Sequence, residues 1–150
     1  MYVDAFTPMT ARQFMAIRHI RNECRRWMTN DTGRVSREQQ LQFMRAVQSD
    51  PSQLVVGYRV DGTVVAYGYA RPMPDEAGVF VSLGVRKIMR GQGLGTFVYR
   101  NLAQRCSDRG HVIAEIQAWN TSSIRAAAAA GYRFVRDRGS VQVYRWIDQG

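Results

Sequence analysis

Two apolar, aromatic-rich stretches, QLVVGYRV over 53–60 and TVVAYGYA over 63–70, are separated only by Asp61-Gly62. Asp-Gly supplies the positive φ angles that a two-residue turn demands, so the pattern predicts a β-hairpin. AGVFVSLGV over 77–85 reads as a third strand of the same sheet, with Pro72 and Pro74 interrupting the connection before it. The spacing then turns helical, since Leu94, Phe97, Val98 and Leu102 fall at i, i+3, i+4 and i+8, the stripe of a helix laid on a sheet. HVIAEIQAW (111–119) predicts another strand, TSSIRAAAAA (121–130) a short helix stopped by Gly131, and YRFVR with VQVYRWI a closing hairpin.

Upstream, a short strand is expected around Tyr2 to Phe6. Thr10 can cap a helix running to about Met28, where NDTG breaks it. Ser36 opens a second helix, with Gln39 completing a capping box, Leu41, Met44 and Val47 on one face, and Pro51 closing it. The order is βααβββαβαββ. A helix separates the strands on either side of residues 90–95, so that pair should run parallel, while the hairpins give antiparallel pairs. The fold class is α+β: one mixed, mostly antiparallel sheet of about seven strands with helices on both faces.

A chain of 150 residues, 45% hydrophobic and 22% charged, suits a single domain spanning 1–150. No apolar run reaches the ~20 residues that span a bilayer, and MYVDAFTPMTARQ lacks the basic start and apolar core of a signal peptide. A soluble, cytoplasmic protein with no membrane partner is expected. Cys24 and Cys106 are far apart, with only His19 and His111 to support a metal, so no metal site is expected; reduced, partly buried thiols fit the non-secretory context. The net charge is +9, carried by arginine beside a single lysine, Lys87. Arginine suits phosphate and carboxylate, yet solvated helix faces bearing Arg21, Arg25 and Arg26 explain the charge equally well.

RGQGLG at 90–95 is the sharpest signal. A glycine-rich turn between strand and helix gathers backbone N–H groups at the positive end of a helix dipole, which makes an anion site. Gly91, Gly93 and Gly95 let the backbone approach a diphosphate, and Arg90 can add a charged contact. The loop lacks the Gly-Lys-Ser/Thr ending of a P-loop and does not complete Gly-x-Gly-x-x-Gly.

VRKIMRGQGLG (85–95) resembles the acyl-CoA-binding motif of the GCN5-related N-acetyltransferases (GNAT), Arg/Gln-x-x-Gly-x-Gly/Ala, through Arg90, Gly93 and Gly95. NTSSIRAAAAAGYRF (120–134) resembles the family's second coenzyme segment, with Asn120, Ser123, Ile124, Gly131 and Tyr132 in register. The resemblance covers nearly the whole chain and implies acetyl-CoA (coenzyme A) as cofactor and direct transfer of acetyl to an amine. It implies strands splayed near Val85 and Trp119, with backbone of Leu83 and Val85 holding the pantetheine amides. The loop from Gly91 through Gln92 to Thr96 would hold the pyrophosphate, and Asn120 and Ser123 would meet the arm or its end.

Many members carry an acidic tyrosine four residues before the second segment's glycine; Ala127 stands there. Three readings follow: water or Ser123 protonates the leaving thiolate, Tyr99 or Tyr132 substitutes, or the protein binds the coenzyme silently. Strand alternation sets Glu115, Gln117 and Trp119 on one face of 111–119, making Glu115 the candidate base with Ser82 beside it; a structural salt bridge to an arginine is the competing role.

The segment from Ile17 to Met44 resembles bacterial N-acetyltransferases acting on nucleotide-linked amino sugars, and relatives acting on protein N-termini such as the ribosomal-protein type. Arg21, Asn22, Arg25, Trp27 and Met28 match, as do Val35, Ser36 and Gln40. Arg21, Asn22, Arg25 and Trp27 are accordingly the candidate acceptor residues, with Trp27 stacking on a ring or serving the core. The expected partner is a small-molecule amine. A nucleic-acid-associated acyltransferase is the competing class, weakened by the absence of a recognised nucleic-acid motif, and a homodimer stays open.

Overall fold

A computed structural model describes residues 1–29 and 32–148, so Asn30 and Asp31 of the expected NDTG break lie outside the described residues. The element order is β1 (Asp4–Phe6), α1 (Ala11–Glu23), α2 (Arg37–Gln48), β2 (Leu54–Val60), β3 (Thr63–Met73), β4 (Gly78–Val85), α3 (Leu94–Cys106), β5 (His111–Gln117), α4 (Thr121–Ala129), β6 (Tyr132–Arg138) and β7 (Val141–Trp146). Short 3₁₀ turns lie at Arg25–Trp27, Pro74–Glu76, Lys87–Met89 and Ser107–Arg109.

The strands form one sheet in the order β1-β2-β3-β4-β5-β7-β6. Every neighbouring pair is antiparallel except β4 with β5, the pair across the glycine loop. Asp61 (φ 51°) and Gly62 (φ 79°) make the tight turn between β2 and β3. The closing hairpin enters the sheet by its second strand, which leaves β6 at the edge. Strand alternation then splits the core in two. Val56, Tyr58, Ala66 and Ala70 join α3 and α4 on one face, while Val55 and Tyr67 join α1 on the other.

Four expectations need correction. β1 starts at Asp4, with Tyr2 exposed. Pro72 belongs to β3, opposite Val79; the β2 pairing has already stopped at Leu54–Ala70, so a residue without N–H sits beside an open edge. Phe97 is exposed and meets Tyr58 edge-on, while Tyr99, Ala103 and Cys106 join Leu94, Val98 and Leu102 on the buried face of α3. Finally, α1 stops at Glu23, because Cys24 (φ −100°, ψ 4°) leaves the helix while its N–H still bonds Ile20 and Arg21 carbonyls. The 3₁₀ turn that follows swings Trp27 toward β4 and the glycine loop.

Capping boxes at Thr10/Gln13 and Ser36/Gln39 fix the starts of α1 and α2. The buried residue of α2 is Gln40, whose Nε2 donates to the Phe14 carbonyl at 2.7 Å. Cys24 and Cys106 are free and buried. No helix among the described residues is long and apolar enough to cross a membrane.

Candidate active site

β4 and β5 run in parallel register from Gly78–His111 to Val81–Ala114, and there the pairing ends. Both strands continue, to Val85 and Gln117, so they part at the end where β4 enters the glycine loop. Between them opens a cleft of about 540 Å³. The Arg86 N–H bonds the Val65 carbonyl on β3. Backbone direction alternates along a strand, so the N–H and C=O groups of Leu83 and Val85 turn away from β3 into the gap. The Cys24 thiol, 3.3 Å from the Val85 carbonyl, lies on that side.

The loop offers a second set of backbone donors. Gly91 (φ 80°) and Gly93 (φ 83°) take left-handed conformations, and a Cβ on either would meet nothing within 4 Å. Their role is conformational. Gly95 differs: its Cβ would come within 3.3 Å of the Ala126 Cβ, so the missing side chain of the third glycine also lets α3 approach α4. The other three helices start on a side-chain cap, whereas α3 starts on Gly93 with none. Leu94, Gly95 and Thr96, whose first-turn N–H groups have no intrahelical acceptor, line the cleft. A diphosphate fits that donor set. Gln92 does not line this cleft; it borders a separate surface cavity beside Met1, Tyr2 and Ile88.

Arg90 turns toward the N-terminal segment. Its guanidinium lies 4.3 Å above the Trp27 ring, and Nη2 donates to Cys24 Sγ at 3.4 Å. Arg26 stands over both Trp27 (5.0 Å) and Trp119 (5.4 Å), whose rings are 6.5 Å apart. Gln117 Nε2 donates to the Met28 carbonyl at 3.1 Å and ties this turn to β5. Two guanidiniums and two indoles therefore stand together beside the cleft.

Of the expected acceptor residues, only Trp27 lines the cleft. Asn22 clamps the approach to α2 instead, donating to the Val35 carbonyl at 3.0 Å and accepting from its N–H at 2.8 Å. Arg25 is exposed on the 3₁₀ turn, and Arg21 is partly buried on α1 away from the lining. Arg26 and Cys24 had no site role in the sequence reading, and Trp119 only marked a strand end. Consecutive arginines before a tryptophan were the signal for the first.

On the α4 side, Asn120 is buried and caps the helix, its Oδ1 accepting from the Ser123 N–H at 3.3 Å. Ser123 Oγ lies 2.7 Å from the Tyr99 hydroxyl, and both residues line the cleft. Burial pushes the Tyr99 phenol up to about 12. Tyr132 is turned away: its hydroxyl donates to the Tyr99 carbonyl at 2.9 Å, inside the core. Ala127 is fully buried, one turn beyond Ser123.

Glu115 and Ser82 lie on the parted strands and line the same cleft. Arg138 Nη1 donates to the Glu115 carboxylate at 2.8 Å, so the salt bridge foreseen as its competing role is present. The structure thus gathers Ser82, Leu83, Val85, Arg90, Gly91, Gly93, Gly95, Thr96, Glu115, Asn120, Ser123 and Trp27 around one cleft, and leaves Arg21, Asn22, Arg25 and Gln92 outside it.

The chain shares its fold with solved acetyltransferases. A GNAT superfamily phosphinothricin acetyltransferase from Sinorhizobium meliloti in complex with acetyl-CoA superposes with a TM-score of 0.82 at 18% identity, over 97% of this chain and 88% of that one. Ribosomal-protein-alanine N-acetyltransferase from Brucella melitensis gives 0.78 at 20% identity, over 98% and 99%. AAC(6')-Ib in complex with paromomycin and acetyl-CoA gives 0.74 at 17%, over 97% and 92%. No curated protein sequence matches the chain. The family model of the GNAT acetyltransferases matches residues 14–132, a span running from α1 to the start of β6 and holding both the glycine loop and the α4 segment. The chain belongs to the GNAT acetyltransferase family.

Proposed function

We propose that the chain, working as a single cytoplasmic domain, is an N-acetyltransferase that moves the acetyl group of acetyl-CoA directly onto a primary amine of a small acceptor. One observation carries the reading: β4 and β5 part beyond Val81 and Ala114, next to an uncapped helix start, in a chain of this family. Leu83 and Val85 would hold the pantetheine amides through their backbone groups, as an added strand pairs with a sheet edge. The loop amides from Gly91 to Thr96 would hold the pyrophosphate. The coenzyme supplies a thioester whose carbonyl carbon an amine can attack. Glu115, in the lining of the cleft, accepts the proton that the amine must lose, and Arg138 keeps its carboxylate oriented. Ser82 lines the same cleft on the facing strand and offers a hydroxyl to the reacting groups.

The acceptor is an amine that also bears an anionic or planar group, with a nucleotide-linked amino sugar as the leading member. Arg26 and Arg90 over the Trp27 and Trp119 rings support this, since guanidiniums pair with phosphate and indoles stack on rings. The same rim repels polycationic amines. Incubation with acetyl-CoA and four amine classes (nucleotide-linked amino sugars, peptide N-termini, polyamines and aminoglycosides) tests it, with free-thiol release and product mass as readouts. Acetylation of the amino sugar is expected. Acetylation confined to peptide N-termini, polyamines or aminoglycosides overturns the acceptor assignment, and no thiol release with any amine overturns the transferase reading.

A further inference from the structure

The leaving thiolate needs a donor, and the α4 position that carries a tyrosine in many relatives is the fully buried Ala127. A phenol nevertheless reaches this face of α4 from the neighbouring helix. Tyr99 projects from α3, and its hydroxyl sits 2.7 Å from Ser123 Oγ, at the position i−4 to Ala127. Ser123 and Ala127 therefore lie one above the other on one face of α4. We propose that Tyr99 and Ser123 form a hydroxyl relay in which Tyr99 donates to Ser123 Oγ and Ser123 turns its own O–H into the cleft toward the departing sulfur. The proposal rests on acetyl-CoA being the donor in this cleft.

Three observations set the direction of the relay. Tyr99 is held rigidly, because its ring meets Tyr132 edge-on at 5.2 Å and the Tyr132 hydroxyl bonds its carbonyl. A phenol is a stronger acid than an alcohol, so between two hydroxyls it is the better donor. Ser123 Oγ has no other hydrogen-bond partner among the described residues, which leaves its proton available to the cleft that both side chains line. Tyr99 does not surrender its proton. With burial holding the phenol up to about 12, transfer to the coenzyme thiolate, the conjugate base of a stronger acid, runs uphill. Its contribution is to orient Ser123, which makes it a positioning residue, while Ser123 supplies a hydrogen bond that strengthens as negative charge develops on sulfur.

The step balances without a further reactant. The amine nitrogen forms the C–N bond, the C–S bond breaks with its electron pair on sulfur, Glu115 takes the amine proton, and solvent returns a proton to the thiolate.

Coenzyme A itself reports on the relay in the absence of any acceptor. The ultraviolet absorbance of the thiolate is titrated with coenzyme A bound, against protein carrying desulfo-coenzyme A to subtract Cys24, Cys106 and the tyrosines. In the unsubstituted protein the bound thiol should titrate about one pH unit below free coenzyme A, because a hydrogen bond to a charged group favours the thiolate. Ser123→Ala should return it to the free value, Tyr99→Phe should return it part of the way, and Ser123→Thr should restore the depression. Calorimetry on the same samples separates the two levels of failure. If the unsubstituted protein does not bind coenzyme A, the coenzyme reading falls and the relay with it. If coenzyme A binds and its thiol titrates alike with and without the Ser123 hydroxyl, the relay alone is overturned. A depression lost in Ser123→Ala but intact in a folded Tyr99→Phe overturns the positioning role of Tyr99; should Tyr99→Phe fail to fold, the Ser123 pair still decides the donor.

Discussion

Arg138 Nη1 donates to Glu115 Oε2 at 2.8 Å, joining a guanidinium that is 59% exposed to a carboxylate side chain that is only 6% exposed. The pair stands between β5 and the edge strand β6, with β7 running between them. Solvent around the arginine screens the attraction, so the bond contributes ~0.2–1 kcal/mol to stability. Glu115→Gln keeps the shape and a hydrogen-bond acceptor. It should leave the melting temperature within about 2–4 °C of the parent, while removing a proton acceptor lowers kcat by ~10²-fold or more. Thermal melting and steady-state kinetics on the same sample check this, and unchanged kcat sinks the base assignment.

Gly93 separates backbone strain from charge in the loop. With φ at 83° and open space around its missing Cβ, Gly93→Ala costs only the left-handed conformation, ~1–2 kcal/mol of stability. Gly93→Asp pays the same strain and adds a carboxylate where we propose that the diphosphate is held. Calorimetry with acetyl-CoA should therefore find the aspartate variant at least ~10-fold weaker than the alanine variant, a gap that narrows as salt is raised. Equal affinities would move the pyrophosphate away from this loop.

Asn22 is expected to matter for folding and not for the acceptor. Its amide completes a reciprocal pair with the Val35 backbone, and Arg18 Nε donates to the same carbonyl at 2.8 Å. Asn22→Ala leaves a partly buried N–H unsatisfied and should lower stability by ~1–3 kcal/mol in urea titration, with the acceptor KM little changed. A large KM change in a stable variant would return Asn22 to the acceptor site.

The elements that were legible in the sequence are those with local causes. Asp61-Gly62 fixes a turn, Thr10 with Gln13 and Ser36 with Gln39 fix helix starts, and the glycine loop sits between a strand and a helix that the pattern already separates. The parallel β4–β5 pair also followed, because a crossover helix leaves little alternative. Long-range packing was not legible. Nothing local says that β7 inserts between β5 and β6, that Phe97 faces water while Tyr99 faces inward, or that Arg90 reaches back to Trp27 and Cys24. Motif matching placed Arg21, Asn22 and Arg25 at the acceptor, but where each faces depended on α1 ending at Cys24. One residue's backbone geometry decided which arginine reached the rim.

Alkaline pH tests the buried tyrosines together. Burial raises the phenols of Tyr58, Tyr67 and Tyr132, and raises Tyr99 to about 12. In the unfolded chain each loses its proton near ~10. Between those values the unfolded state binds fewer protons than the folded one, so stability falls as pH rises through that window and is intact below it. Tyr99 alone contributes a slope of up to ~1.4 kcal/mol per pH unit between about pH 10 and 12. Urea midpoints across that range should fall steeply for the unsubstituted protein, with tyrosinate absorbance appearing only as the fold is lost. Tyr99→Phe, less stable at neutral pH through loss of its bond to Ser123, should show a shallower fall. A slope that Tyr99→Phe leaves unchanged would mean that this hydroxyl is reached by solvent, and the dry setting inferred for it beside Ser123 would fail with it.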